Sequence, residues 1–221
     1  MNYLDGLNER QKEAVLATHG PLSVLAGAGS GKTRVLTTRI HHLIREGVAP
    51  DKILAVTFTN KAAREMRERL AVRLGEAGDA LTDPNPHRRV GVPFIATFHG
   101  LGRELLESYG TLIGVPRHFT IFDRDDAERA VKNALKKLGV DPKEVPTRAI
   151  LGRISKAKGD GQNREEFNAK HGRESFRSRV TAEAWKYYDD ELKAEKALDF
   201  DDLILKPVQL LENYADARDA A

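Results

Sequence analysis

The residues best suited to chemistry are Ala26, Gly27, Ala28, Gly29, Ser30, Gly31, Lys32 and Thr33. They follow the phosphate-loop pattern G-x-x-x-x-G-K-[ST], with alanine in place of the first glycine. Such a loop wraps backbone N–H groups around phosphate oxygens, and small residues permit the dihedrals and the close approach this needs. A helix starting at Lys32 would turn its positive end to the same phosphates. Lys32 would reach the β- and γ-phosphates, and the Thr33 hydroxyl would ligate Mg²⁺. The implied ligands are therefore ATP and Mg²⁺. Arg34 follows at once, and its residue type allows either a nucleotide contact or a solvated helix position.

Phosphate loops sit between a buried strand and a helix, and the sequence offers both. "PLSVLAG" (21–27) is short, apolar and glycine-terminated, which predicts a buried parallel strand. "KTRVLTTRIHHLIREG" (32–47) has helical period, with Val35, Leu36, Ile40, Leu43 and Ile44 on one side and Gly47 as its stop. Upstream, "LNERQKEAVLATHG" reads as a helix with Leu7, Ala14 and Val15 inward. "KILAVTFT" predicts a second buried strand, "NKAAREMRERLAVRL" a charged helix capped by Asn60, and "PFIATFHG" a third strand. The β-α-β-α order implies a parallel sheet with right-handed crossovers. Residues 76–93 read as a loop.

The texture changes near residue 114. "FDRDDAERAVKNALKKLG", "PTRAILGRISKAKG" and "TAEAWKYYDDELKAEKA" read as helices with no strands between them. Residues 159–178 read as a polar, mobile loop. "DFDDLILKPVQLLENY" closes the pattern as a helix kinked or broken at Pro207. Phosphoryl transfer also wants a carboxylate at the end of an apolar strand, and no such strand is expected after residue 100.

The composition narrows the classes. The 221 residues are 40% hydrophobic and 31% charged, enough for a core under a wet, helix-rich surface. The net charge of +3 permits a nucleic-acid partner without requiring one. Cysteine is absent, which excludes disulfides and thiolate metal sites, and the seven histidines lack ligand spacing. No apolar run has membrane-span length, and "MNYLDGLNERQ" has no signal-peptide stretch. A cytoplasmic chain with no membrane partner is expected.

With these motifs in order, the sequence resembles the superfamily 1A DNA helicases, the UvrD/Rep/PcrA family. "LNERQKEAV" resembles the Q motif, "AGAGSGKT" motif I, "VTFTNKAAREMRERL" motif Ia and "TFHGL" motif Ib. "DFDDLI" resembles the segment that returns the chain to the first motor domain. The resemblance implies an α/β fold, a RecA-like phosphate-loop NTPase motor domain (partial, with a parallel sheet) carrying an all-helical insertion domain. Residues 1–110 would open motor domain 1A, 111–198 would form insertion 1B, and 199–221 would return to 1A. Gln11 would read adenine through its amide. Phe58, Thr59, Asn60, Thr97, His99 and Gly100 would meet single-stranded DNA, at strand ends where ligands gather. Arg148, Arg153, Lys156 and Lys158 form either a solvated face or a duplex-backbone contact; glycine replaces the asparagine of the family's "I-S-x-A-K-N", as Gly159 in "ISKAKGD".

The family's D-E-x-Q box, sensor glutamine, second motor domain and arginine finger have no counterpart in these residues. The chain is therefore read as the amino-terminal portion of an ATP-dependent 3′-to-5′ helicase of DNA repair or replication. It would be inactive alone and act on single-stranded DNA and single-strand/duplex junctions. Two other classes stay open: a phosphate-loop kinase of a small molecule, and a non-enzymatic DNA-binding module with a vestigial loop.

Overall fold

The computed structural model describes residues 2–83, 89–141 and 143–220. The chain divides into two compact units, residues 1–98 and 99–221.

In the first unit, α1 (Glu9–Leu16) opens with a capping box. The Asn8 side chain accepts from the Gln11 N–H, and the Gln11 side chain accepts from the Asn8 N–H, so two of the helix's orphan donors are satisfied. α2 (Lys32–Arg45) follows the loop. Arg39 of α2 donates to the Ala14 and Ala17 carbonyls, closing the end of α1 and fastening the two helices together. β1 (Leu54–Thr57) and β2 (Phe94–Thr97) form a parallel pair with Thr57 beside Thr97. Between them runs α3 (Asn60–Leu74), then 3₁₀ turns over Gly75–Thr82. Ile40, Ile53, Met66, Leu70, Leu81 and Ile95 form the main core, and Leu7, Ala14, Val15 and Val35 a second under α1.

Several expectations shift here. Residues 21–27 form no strand: no strand lies beside them among the described residues, and an extended segment without a neighbour cannot satisfy its backbone groups in a sheet. Leu25 is accordingly 97% exposed. β1 is not fully buried, since Leu54 faces outward. Leu36 is likewise exposed, while Thr37, Thr38 and His42 are buried on α2. The two threonines achieve this by bonding backwards to carbonyls of Thr33 and Arg34. The cap of α3 is Thr59, not Asn60, because Thr59 is the extended residue and its hydroxyl accepts from the Ala62 N–H. Part of the 76–93 loop is the 3₁₀ segment; residues 84–88 of it lie outside the described residues.

The second unit holds most of α4 (Phe98–Tyr109), then α5 (Arg124–Lys137), α6 (Thr147–Gly159), α7 (Arg164–His171), α8 (Phe176–Ala194), α9 (Asp202–Asn213) and α10 (Ala215–Ala220). Its large core gathers Val131, Leu135, Ile150, Ile154, Trp185 and Tyr188 from α5, α6 and α8. The region is not wholly helical: β3 (Thr120–Ile121) and β4 (Ala197–Leu198) pair in parallel, joining the start and end of the helical stretch. The expected loop 159–178 contains α7, which a capping box between Asn163 and Glu166 starts and a buried Phe167 anchors. Nor does Pro207 break its helix, since α9 continues through it.

Candidate nucleotide and nucleic-acid sites

The phosphate-loop residues are exposed, apart from the half-buried Gly31 and Thr33, and the loop is held by its own backbone. Ser30 donates through both N–H and hydroxyl to the Gly27 carbonyl, the hydroxyl at 2.7 Å. Gly29 and Gly31 have φ of 73° and 84°, a region that side-chain-bearing residues rarely adopt. Gly31 is the N-cap of α2, so the first-turn N–H groups of Lys32, Thr33 and Arg34 have no acceptor within the helix. The Lys32 ammonium folds over the loop, donating to the Ala26 carbonyl at 3.0 Å and the Gly27 carbonyl at 2.6 Å. The Thr33 hydroxyl makes no hydrogen bond among the described residues.

Gln11 reaches this loop, its Nε2 donating to the Ser30 carbonyl at 3.0 Å. The same side chain caps α1 through Oε1. It thus straps the α1 start to the loop, and one amide hydrogen and one oxygen lone pair stay available to another group. Arg34 points elsewhere, its guanidinium donating to the Asp5 carbonyl at 3.0 Å and closing over Gly6. Ala28 lies in the exposed turn between Gly27 and Gly29.

These donors suit phosphate: a cation, free helix N–H groups and an αL glycine turn converge on one exposed loop. Among the described residues no group of three His, Asp or Glu could hold a metal ion.

The second set lies at the strand ends. Phe58 follows β1 and is 91% exposed; Phe98 follows β2 and its ring centroid is 5.7 Å from that of Phe58, with the planes tilted by 51°. Thr59 caps α3 and Asn60 is its first residue, so this helix start offers N–H groups beside an open aromatic pair. Thr97 is buried at the end of β2, and Gly100 lies in the first turn of α4. In the second unit His99 stacks on Phe200, centroids 3.8 Å apart and planes 24° apart, and burial holds its imidazole below the usual histidine pKa.

Phe98 and Phe200 were absent from the sequence expectation, although Phe98 lies inside the "TFHGL" stretch that supplied its neighbours. The basic helix also reads differently in space. Lys158 is buried, donating to Asp199 at 2.6 Å and Asp202 at 3.0 Å, so it belongs to neither a solvated face nor a duplex-facing one. Arg148 pairs with Glu128, whose carboxyl it holds below the ordinary value, and Arg153 donates to the Ser178 hydroxyl. Asp199 stands directly after β4, so a carboxylate does end a strand beyond residue 100. Lys158 and Tyr188 occupy that carboxylate.

The loop and the α2 start thus carry the residue pattern of a phosphate loop, with an open aromatic pair at the strand ends. Comparison with known proteins gives the family: residues 7–221 match the UvrD/REP helicase N-terminal domain, and the chain belongs to that family. It is similar to the ATP-dependent DNA helicase PcrA of Leuconostoc citreum, 43% identical over 213 residues covering 96% of this chain and 27% of the relative. PcrA of Bacillus subtilis (strain 168) is 43% identical over 222 residues, 98% of this chain and 28% of the relative. PcrA of Staphylococcus epidermidis (strain ATCC 12228 / FDA PCI 1200) is 40% identical over 211 residues, 95% and 27%. The chain thus spans little more than a quarter of the length of these relatives. No helix among the described residues is long and apolar enough to cross a membrane.

Proposed function

We propose that this chain is the ATP- and single-stranded-DNA-binding amino-terminal part of a 3′-to-5′ DNA helicase of repair or replication, working in the cytoplasm. The polarity and the junction preference follow the family. The observation that carries the nucleotide half is the loop: the Lys32 ammonium and the unpaired first-turn N–H groups of α2 meet at a turn that Gly29 and Gly31 make possible. When nucleotide enters, Lys32 exchanges its two carbonyl acceptors for phosphate oxygens, a contact between opposite charges in place of two contacts between a charge and a neutral carbonyl. Mg²⁺ bound with ATP would spread and neutralise phosphate charge beside Thr33. Gln11 offers its remaining donor and acceptor to the adenine edge while keeping the loop tied to α1. Arg34, turned to Asp5, would have to leave that carbonyl to meet the nucleotide.

Phe58, with Thr59 and Asn60 at a helix start, supplies a base-stacking surface beside phosphate-binding N–H groups, a combination that takes any sequence. Thr97 at the end of β2, and separately His99 and Gly100 in the first turn of α4, are read as further DNA contacts.

The motor reading is a RecA-like domain 1A over 1–110, a helical insertion 1B over 111–198, and a return to 1A at 199–221. Two observations support it. β3 and β4 pair where the insertion would leave and rejoin. Leu106, Val115, Leu198 and Leu203 share one small core, and the Tyr214 hydroxyl donates to the Leu112 carbonyl, so the last helices pack back on the chain where the insertion begins and ends. In this reading residues 21–27 are a strand position whose neighbours come from elsewhere in the motor. The full motor would close the nucleotide cleft with a second domain, and this chain alone would hydrolyse almost no ATP.

The test is phosphate release by the intact protein with and without single-stranded DNA. Hydrolysis that rises with DNA and disappears with Lys32→Ala is expected. Hydrolysis indifferent to DNA would favour a small-molecule kinase and sink the helicase reading.

A further inference from the structure

We propose that Lys158 is a positioning residue for single-stranded DNA binding, acting through the Asp199–Asp202 turn and the Phe200 ring to set the ring of His99. The inference rests on the reading that His99 meets DNA.

The geometry runs in one unbroken series within the second unit. The turn between β4 and α9 carries two buried carboxylates, Asp199 and Asp202, on either side of Phe200 and Asp201. The turn closes on itself: the Asp202 N–H donates to Asp199 Oδ1 at 2.8 Å, and the Asp199 N–H approaches Asp202 Oδ2 at 3.4 Å. Two carboxylates this close and this buried repel each other unless a cation lies between them. Lys158 is that cation. Its ammonium comes from α6, bonds Asp199 Oδ2 at 2.6 Å and Asp202 Oδ1 at 3.0 Å, and lies over the Tyr188 ring. Tyr188 from α8 adds its hydroxyl to Asp199 Oδ2 at 2.9 Å. Two helices of the core thus grip one turn.

What the turn presents is Phe200, which the two inward carboxylates leave more than half exposed and whose ring lies face to face with His99. The grip matters because the turn has room to relax: Phe200 and Asp201 line a groove of about 510 Å³ with Ser155, Tyr188 and Arg148. Without the ammonium, neither carboxylate is tied to α6, the turn shifts into that space and the stack on His99 is lost. Buried ion pairs contribute little to net stability against an apolar replacement, so a placement role accounts for this cluster better than a stabilising one.

The experiment uses the 221-residue chain, a fluorescein-labelled oligothymidylate and anisotropy titrations over a range of KCl concentrations. His99 ring-proton shifts are read by NMR, and circular dichroism checks the fold. Lys158→Met is expected to weaken binding about fivefold, the low end of one lost base stack. His99→Ala should do the same, and the two substitutions together should cost no more than either alone. The salt slope should stay constant, because Lys158 touches no phosphate. The upfield shift that Phe200 imposes on the His99 ring should vanish in Lys158→Met. If Lys158→Met does not fold, Lys158→Met/Asp199→Asn decides, since the amide introduced at 199 can donate to the Asp202 carboxylate and removes the repulsion. It too should lose the ring shift and the affinity. A folded variant with unchanged affinity and ring shift overturns the proposal. So does a salt slope that falls by about one phosphate, which would make Lys158 a direct backbone ligand. Should His99→Ala bind DNA normally, the reading of His99 fails instead, and the ring shift alone then decides whether Lys158 places the stack.

Discussion

Lys32→Ala tests the nucleotide site most directly, and the structure sets the size of the effect. Lys32 holds two carbonyl acceptors at 3.0 and 2.6 Å, both on an exposed loop. Hydrogen bonds that involve a charged group contribute about 1.5–3 kcal/mol each, those between opposite charges at the top of that range. Binding replaces these two contacts by contacts to anionic oxygens, and solvent around the loop screens part of the gain. A net loss of about 2–3 kcal/mol in nucleotide affinity is expected on removing the ammonium, about 30- to 150-fold in Kd. The fold should barely notice. The two carbonyls released are open to water, so stability should change by less than about 0.5 kcal/mol. Calorimetric titration with a non-hydrolysable ATP analogue and Mg²⁺, beside a thermal melt, measures both quantities. An unchanged Kd in a folded variant would refute the assignment of the loop. A large fall in melting temperature would show instead that Lys32 is chiefly a brace for the Ala26–Gly27 turn.

Three shorter tests address neighbouring parts of the argument. Gln11→Ala should weaken ATP more than a pyrimidine triphosphate, and equal losses in parallel titrations would mean that Gln11 serves only as the strap to Ser30. Phe58→Ala should cost about 1–3 kcal/mol in oligonucleotide binding with no dependence on base identity; anisotropy with homopolymers of different bases reads this, and a loss confined to one base would contradict a stacking role. Asp189 has its carboxyl held up to about 6, chiefly by burial and against the pull of Lys158 and Arg164. The folded chain then keeps that proton more tightly than the unfolded chain, so stability falls as pH rises from about 4 to about 6. The side chain is 43% exposed, so the loss is discounted to about 1 kcal/mol. Asp189→Asn should recover that amount near pH 8 and be neutral near pH 4 in urea melts, and an equal effect at both would contradict the sign.

The parts legible in the sequence were those decided locally. The glycine turn before Lys32, the helix α2, the charged helix α3 and the helices after residue 120 follow from period and from short-range turn chemistry. Even the missed α7 carried a local signal, the Asn163–Glu166 box, set in a stretch polar enough to pass for a loop. What the sequence could not display was decided by partners far along the chain. Residues 21–27 have the composition of a strand, but a strand exists only beside another. Lys158 shares the outward look of Lys156, yet its acceptors lie 41 and 44 residues away. Thr59 and Asn60 are both good caps, and the choice between them falls to backbone angles rather than residue type.

Pro207 shows the same dependence on distance and leads to the last prediction. A proline in a helix has no N–H for the carbonyl four residues earlier, here that of Leu203. That carbonyl is the atom α9 presses against α4. A Cβ added at Gly102 would lie 1.8 Å from the Leu203 oxygen, 3.0 Å from its carbonyl carbon and 3.2 Å from Pro207 Cγ. The bare Gly102 Cα thus accepts the approach of an oxygen that Pro207 has left without its usual donor, a Cα–H···O contact of modest strength. The position tolerates no side chain, because the clash is with backbone at both ends and neither helix can yield by rotating a rotamer. Overpacking of this kind ordinarily costs about 1–3 kcal/mol, and a backbone-on-backbone clash belongs at the top of that range. For a chain of this size about 3 kcal/mol corresponds to a melting temperature lower by roughly 6–12 °C. Gly102→Ala should therefore melt far below the unaltered chain, while Gly152→Ala, a helical glycine with open space where its Cβ would go, should melt no lower. Equal melting of the two variants would show that α4 and α9 do not meet at Gly102 as described.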